Sequence, residues 1–288
     1  MKYAVTGSTG HFGKYAISYL QKLIKPEDSI IALARSIEKA KSIYKDGVEV
    51  RPGTYEDPDQ LIDSLKGVDK LLFISSQPGA VMSRIDQHNN VVQAAKAAGV
   101  KFIAYTSFPH ADTTEAPLAA DHKATEALIK KSGIAHSFLR NNWYLEDEMN
   151  FVEEASNGEP FVYSAGDGKV GWAPEALYAE AAATILTTEQ PKEVYELAGP
   201  MHTYAELADV LRKVTGKQFE IASVSDDEFM ANLRKYVPDQ VDAIMTMIQK
   251  LIRNHALEED TTDLADVLQK PVPTLEEQVQ ALFKAPEK

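Results

Sequence analysis

The chain has 288 residues, 44% hydrophobic and 25% charged, which excludes a largely disordered protein and leaves room for one or two lobes with a full core. Forty-three Asp and Glu against 30 Lys and Arg give a formal net charge of −13. Such a field disfavours non-specific binding to nucleic acid or an anionic membrane, though not one anion in a locally positive pocket. With no cysteine, disulfides, thiolate zinc sites, iron–sulfur clusters and cysteine nucleophiles are excluded.

The opening residues, MKYAVTGSTG, start a strand and contain no apolar run of signal-peptide length. No window approaches the roughly 18 apolar residues of a membrane span, so a soluble cytoplasmic protein is expected. Strands are predicted at Tyr3–Thr6, Ser29–Ala34, Val48–Arg51, Lys70–Ser75, Phe102–Ser107 and Ala135–Leu139. Helical patterns lie between them, the clearest from Met82 to Ala98 before Gly99 and from Leu118 to Lys131 before Gly133. The strands are near-continuous apolar runs, as in a sheet covered on both faces. This alternation predicts an α/β fold, a Rossmann-type doubly wound parallel sheet.

After Leu139 the rhythm breaks. Residues 141–173 read as loops and short elements, followed by a helix at Ala176–Thr187, a strand at Val194–Leu197 and a mostly helical stretch from Thr203 onward. The expected division is an NAD(P)-binding domain over 1–150, joined by the strand segment 194–199, and a smaller helix-rich substrate lobe over 151–288. A ligand cleft is expected between them. Met245, Met247, Ile248, Leu251 and Ile252 form an apolar stripe that reads as core or as a subunit contact, which would make a homodimer.

The first strand runs into Gly7-Ser8-Thr9-Gly10-His11-Phe12-Gly13 and then an amphipathic helix. A dinucleotide site needs glycines there for a tight turn, for a backbone free of Cβ atoms near the pyrophosphate, and for close helix–strand packing. The helix N-terminus then offers amides to the phosphates. A Walker A reading fails, because the spacing is wrong and Tyr15 stands where Ser or Thr should hold magnesium. At the end of the second strand, where NAD-binding proteins place a carboxylate for the ribose 2′-OH, the chain has Ala34-Arg35-Ser36. Arg35 suits a 2′-phosphate, so NADPH is the expected cofactor; a solvated arginine after a strand is the plainer reading.

None of the twelve tyrosines has lysine four residues later, so the tyrosine–lysine acid of ordinary carbonyl reductases is missing. No nucleophile elbow, zinc-binding helix or histidine cluster replaces it, and no metal or flavin is expected. A hydride carrier without a strong acid suits a quinone, whose reduced anion collects a proton from water. The other reading of the same inventory is a protein that senses the cofactor without turnover.

Further stretches are Ala98–Ser107 (AGVKFIAYTS), His110–Thr113 (HADT), Phe138–Tyr144 (FLRNNWY), Ala165–Lys169 (AGDGK) and Val194–Gly199 (VYELAG). With the glycine turn, they resemble the NAD(P)H:quinone oxidoreductase type 2 group of the NmrA-like, atypical short-chain dehydrogenase/reductase family, over nearly the whole chain. The resemblance implies an NADPH-dependent reductase of a small quinone, with an NmrA-type redox sensor or an isoflavone-reductase-like enzyme as alternatives. Gly7 to Phe12, with Gly13, would hold the pyrophosphate and Arg35 the adenosine phosphate. Ser75, Ser76 and Gln77 would line the groove, and Arg140, Asn141, Asn142, Trp143 and Tyr144 would sit beside the nicotinamide. His122, Asn142 and Tyr144 are the expected catalytic residues. Ser107 and Lys169 are further cofactor contacts, Lys169 by reaching a phosphate. Several have plainer readings: packing for Trp143 and Tyr144, a helix-surface residue for His122, turn capping for Ser107, and a β-turn for the Gly-Asp-Gly-Lys run.

Overall fold

A computed structural model of the chain describes residues 1–77, 81–235, 237 and 241–284. Its first unit comprises Met1–Asn141, Glu175–Leu197 and Asp263–Gln269; the second comprises Asn142–Pro174, Ala198–Thr262 and Lys270–Lys288.

In the first unit, β1 (Lys2–Val5), β2 (Ser29–Ala34), β3 (Val48–Pro52), β4 (Lys70–Phe73), β5 (Phe102–Ser107) and β6 (Ala135–Asn141) alternate with helices. These are α1 (His11–Leu23), α2 (Ile37–Ile43), α3 (Pro58–Leu65), α4 (Arg84–Ala98) and α5 (Ala120–Ser132). All seven strands of the sheet are parallel, in the order Val194–Leu197, β6, β5, β4, β1, β2, β3. The order reverses between β1 and β4, which opens a crevice at their C-terminal ends. The Rossmann-type doubly wound sheet expected from the alternation is present, and the segment after Glu193 pairs with β6.

The apolar runs dictate this layering. β2 is buried from Ile30 to Ala34, whereas the edge strand β3 is half-exposed. Leu71, Phe73, Ile103, Tyr105 and Phe138 meet Val91, Val92 and Ile129 of α4 and α5 in one core. α1 packs against the helix Glu175–Thr187. Burying each such large side chain contributes about 1.5–3 kcal/mol.

Several boundaries differ from the sequence reading by a residue or two, and three of them have a clear local reason. α4 starts at Arg84 rather than Met82 because Ser83 takes the N-cap, its side chain accepting from the Asp86 amide at 3.2 Å. Pro117–Ala119 form a 3₁₀ turn, so α5 begins at Ala120. β4 stops at Phe73 because the next three amides turn to side chains. Ile74 N donates to Thr6 Oγ1 (2.9 Å), Ser75 N to Thr106 Oγ1 (2.8 Å) and Ser76 N to His88 Nε2 (3.0 Å).

The second unit holds the helices Met149–Asn157, Tyr204–Thr215, Asp226–Leu233, Val241–Arg253 and Leu275–Lys284 with short strand pairs. Thr203 and Ser225 close capping boxes with Glu206 and Glu228. On the helix Val241–Arg253, the apolar stripe expected as core or as a subunit contact is mostly half-buried. Only Ile252 of its five residues is fully covered, and Asp242, Thr246 and Gln249 take the inner face. The reason is a polar anchor: Gln249 Oε1 accepts from the amides of Ser164 (3.0 Å) and Ala165 (2.9 Å).

Rings of Phe151, Phe161, Trp172, Tyr204 and Phe229 fill this unit's core, with the Glu148 carboxylate among them. Its Oε1 accepts from Tyr204 OH (2.7 Å) and Trp172 Nε1 (3.1 Å). Burial, reinforced by the charge of Asp147, pushes the Glu148 carboxyl up to about 7. A carboxyl raised in the folded state stabilises fully below the ordinary carboxylate range, and that contribution is lost as pH rises through about 7. Glu148→Gln keeps the acceptor without the charge. The variant should exceed the wild type by up to about 3 kcal/mol at mildly alkaline pH, on the scale of about 1.36 kcal/mol per pKa unit. The difference should vanish in acid. Urea unfolding at the two pH extremes reads this directly, and an equal difference at both would refute it.

Candidate active site

The glycine loop sits at the crevice. Thr6 continues β1 by donating its amide to Leu72 O (3.0 Å). Gly7, at φ +58°, then turns the chain through the left-handed region. Gly10 closes the turn onto Gly7 O (3.0 Å) and serves as N-cap of α1 with no side chain bonded over the helix end. The positive end of the α1 dipole therefore lies at the groove. Gly13 packs so closely that a Cβ there would lie 2.5 Å from Gly7 O and 2.7 Å from Ser8 Cα.

Around this loop lies a groove of about 820 Å³, the size of an ordinary cofactor site. Gly7, Thr9, Gly10, His11, Phe12 and Gly13 form its floor; Arg35 stands at the end of β2, and Ser75, Ser76 and Gln77 follow β4. Ser8 alone of the loop is not a lining residue. Its buried hydroxyl donates to Leu33 O (2.8 Å) and its carbonyl accepts from Tyr44 OH (2.5 Å), so it fastens the loop to β2 and the end of α2. Burial pushes that Tyr44 phenol up to about 12.

Lys39, which the sequence reading missed, lines the groove with Arg35. Both side chains are exposed, and Ser36, capping α2 through the Lys39 amide, places the lysine one turn beyond the arginine. A capping serine after the strand end was the available signal. Tyr55 forms another wall, its hydroxyl donating to Ile74 O at 2.6 Å, and Glu56 and Glu175 put two carboxylates on the rim.

Ser107, His122 and Arg140 belong to the same unit without being among the groove's lining residues. Ser107 Oγ donates to Glu126 Oε1 at 2.7 Å. Arg140, 4% exposed, grips Glu126 with two bonds (3.0 and 2.8 Å), and its Nη1 reaches Asp112 and Glu196 at 2.8 Å each. Burial opposes the guanidinium charge, but these carboxylates outweigh it and hold the arginine above its ordinary range. Desolvation, by contrast, raises the Glu196 carboxyl. Asn141 ends β6 and is buried. His122 is buried on α5, its Nδ1 2.9 Å from Tyr105 OH. Burial, then the charge of Arg84, drives its imidazole well below the ordinary range.

The remaining expected residues lie in the second unit. Asn142 uses both ends of its amide, donating to Leu257 O (2.8 Å) and accepting from Gly171 N (3.1 Å). Trp143 and Tyr144 pair in parallel with Trp172 and Ala173 and are half-buried. Lys169 is exposed, and its amide donates to Glu258 Oε1 (3.1 Å). The turn before it is closed by Gly168 N on Ala165 O (3.2 Å), with Gly166 at φ +59°.

A family model described as NmrA-like matches residues 2–280. Quinone oxidoreductase 2 of Escherichia coli (strain K12) is 40% identical over 283 residues, 97% of this chain and 98% of that protein. The crystal structure of the E. coli NADPH-dependent quinone oxidoreductase complexed with NADPH superposes with a TM-score of 0.91 at 39% identity, covering 98% of this chain and 99% of that one. The Citrobacter sp. triphenylmethane reductase complexed with NADP(H) gives 0.90 at 34% identity, over 98% and 99%. Among the described residues, no helix is long and apolar enough to cross a membrane.

Proposed function

Because the chain belongs to the NmrA-like family, we propose that it is an NADPH-dependent oxidoreductase that transfers hydride to a quinone. One observation carries the reading. A glycine-turned loop at the N-terminus of α1, which has no side-chain cap bond, opens into a groove bearing two exposed cations, in a chain 40% identical over 97% of its length to a quinone oxidoreductase. The residues fit the cofactor. Amides at Gly7–Gly13 suit a diphosphate, and Arg35 with Lys39 suits a 2′-phosphate, which needs cationic donors where NAD would need a carboxylate.

Bound there, NADPH supplies the hydride. The protein orients it: Ser8, tied to Leu33, holds the loop, while the Ile74–Ser76 amides fix the opposite wall. Proton donation is weak by design of the residue set, since neither a tyrosine–lysine pair nor a charged histidine is present at His122. A hydroquinone anion tolerates this, because it is a weak base and takes its proton from water. We place the protein in the cytoplasm, where NADPH is available.

Mixing the protein with NADPH and a panel of simple quinones should give cofactor oxidation well above background. No oxidation with any of them would remove the reading and favour a sensor. Arg35→Ala should weaken NADPH binding about 10–100-fold, the worth of one charge-assisted phosphate contact, and leave NADH unchanged. Calorimetry with both cofactors measures it, and equal losses would contradict the 2′-phosphate assignment.

A further inference from the structure

We propose that Ser76, His88 and Tyr105 are positioning residues, a buried hydrogen-bond chain that fixes His122 as a neutral imidazole presenting its Nε2–H to the substrate oxygen. The proposal deepens the quinone-reductase reading and rests on it for the presence of that oxygen.

The direction of every link follows from the first. The Ser76 amide, on the groove wall, can only donate, and it lies 3.0 Å from His88 Nε2. That nitrogen carries no proton, so in the neutral ring Nδ1 does. His88 Nδ1 is 2.8 Å from Thr125 Oγ1 and 3.4 Å from Tyr105 OH. The Thr125 hydroxyl is spent on Asp121 O at 2.6 Å, so its oxygen accepts from His88. Tyr105, facing a nitrogen that is already protonated, turns its own proton to His122 Nδ1 at 2.9 Å. The proton of a neutral His122 is then on Nε2, and no hydrogen bond described for the residue uses that atom.

Surroundings keep the rings neutral and still. His88 and Tyr105 are fully buried, and His122 is 7% exposed. The rings pack in series, Phe73 on His88, His88 on Tyr105, and Tyr105 and Phe108 on His122. The charged or titratable groups facing them are Arg84 of α4, Glu126 of α5 and Tyr55, which acts on Tyr105. Burial and Arg84 push His88 down to about 3. Neither ring becomes an imidazolium at neutral pH, so His122 offers a hydrogen bond and keeps its proton. As a quinone accepts hydride from NADPH, one carbonyl oxygen gains the negative charge. The Nε2–H bonds that oxygen, water supplies the proton that completes the hydroquinone, and His122 ends as it began.

The test combines NMR and kinetics. In ¹⁵N-histidine-labelled protein with NADPH bound, His122 should show an unprotonated Nδ1 and a protonated Nε2, neutral throughout the mildly acid to mildly alkaline range. Tyr105→Phe should lose that tautomer preference and lower kcat for a quinone by about tenfold or more, with NADPH affinity within about twofold. His122→Gln, whose amide puts an uncharged N–H near the Nε2 position, should retain much more kcat than His122→Leu, expected to fall about a hundredfold. A wild-type His122 protonated on Nδ1 or charged at neutral pH, or a Gln variant as inactive as Leu, would overturn the proposal. Should Tyr105→Phe fail to fold, the wild-type spectrum decides alone. Absence of quinone turnover in the wild type would sink the functional reading, while the tautomer still judges the chain.

Discussion

Arg140→Ala should cost about 3–5 kcal/mol of stability, the range for removing one partner from a buried ion pair. The side chains of Arg140 and Glu126 are 4% and 3% exposed, so a lone Glu126 carboxylate would have neither water nor a cation. The arginine is also a clamp. Ser107 of β5 is its register partner on one side and Glu196 of the edge strand on the other, while Asp112 and Glu126 come from the loop and helix that follow β5. Truncation therefore frees the C-terminal ends of three strands at once. Two comparisons separate this from lost packing. Arg140→Met should be nearly as damaging, since it restores volume without charge, whereas adding Glu126→Gln to Arg140→Ala should recover part of the loss. The deficit should also shrink in acid, where the abandoned carboxylates neutralise by protonation. Urea midpoints for the four proteins decide it; a loss of less than about 1 kcal/mol would mean that the cluster is no more than a surface ion pair.

Arg140 also marks what a linear reading misses. Its neighbours in sequence, Asn141 to Tyr144, suggest a nicotinamide wall, but the guanidinium is committed to residues 14, 28 and 56 positions away. Only the strand register brings those carboxylates together, and no local pattern encodes it. The same holds for the histidines. His88 lies inside an ordinary helical pattern, and its significance comes from Ser76, Tyr105 and Thr125, which three other segments deliver.

Backbone demands, by contrast, are legible wherever a residue type has one mechanical meaning. The strand–helix alternation yields the parallel sheet because buried strands and amphipathic helices differ in period. Gly7-x-x-Gly10-x-x-Gly13 is readable because only glycine meets the left-handed turn at Gly7 and the contact at Gly13. Arg35 is readable because a strand end fixes its place, while Lys39 depends on where α2 begins, set by the Ser36 cap. The stripe on Val241–Arg253 is less legible for the opposite reason: apolar periodicity marks a face without saying what covers it. Two backbone amides waiting for Gln249 decide that orientation.

Gly13→Ala should weaken NADPH binding by roughly a hundredfold or more, equivalent to about 2.7 kcal/mol. The added methyl would lie 2.5 Å from a backbone carbonyl and 2.7 Å from Ser8 Cα, neither the end of a flexible side chain. Either α1 withdraws from the loop or the Gly7–Gly10 turn opens, and both move the amides away from the diphosphate. Ser8 resists the second route, since its hydroxyl and carbonyl tie the loop to Leu33 and Tyr44. Part of the strain therefore appears as about 1–3 kcal/mol of lost stability. Gly133→Ala is the matched control: it sits at φ +79° with nothing within 4 Å of a built Cβ. That change should cost about 1–2 kcal/mol for the left-handed backbone and leave cofactor affinity within about twofold. Calorimetric titration of both variants with NADPH separates a groove effect from general destabilisation. Wild-type affinity in Gly13→Ala would place the diphosphate somewhere other than this loop.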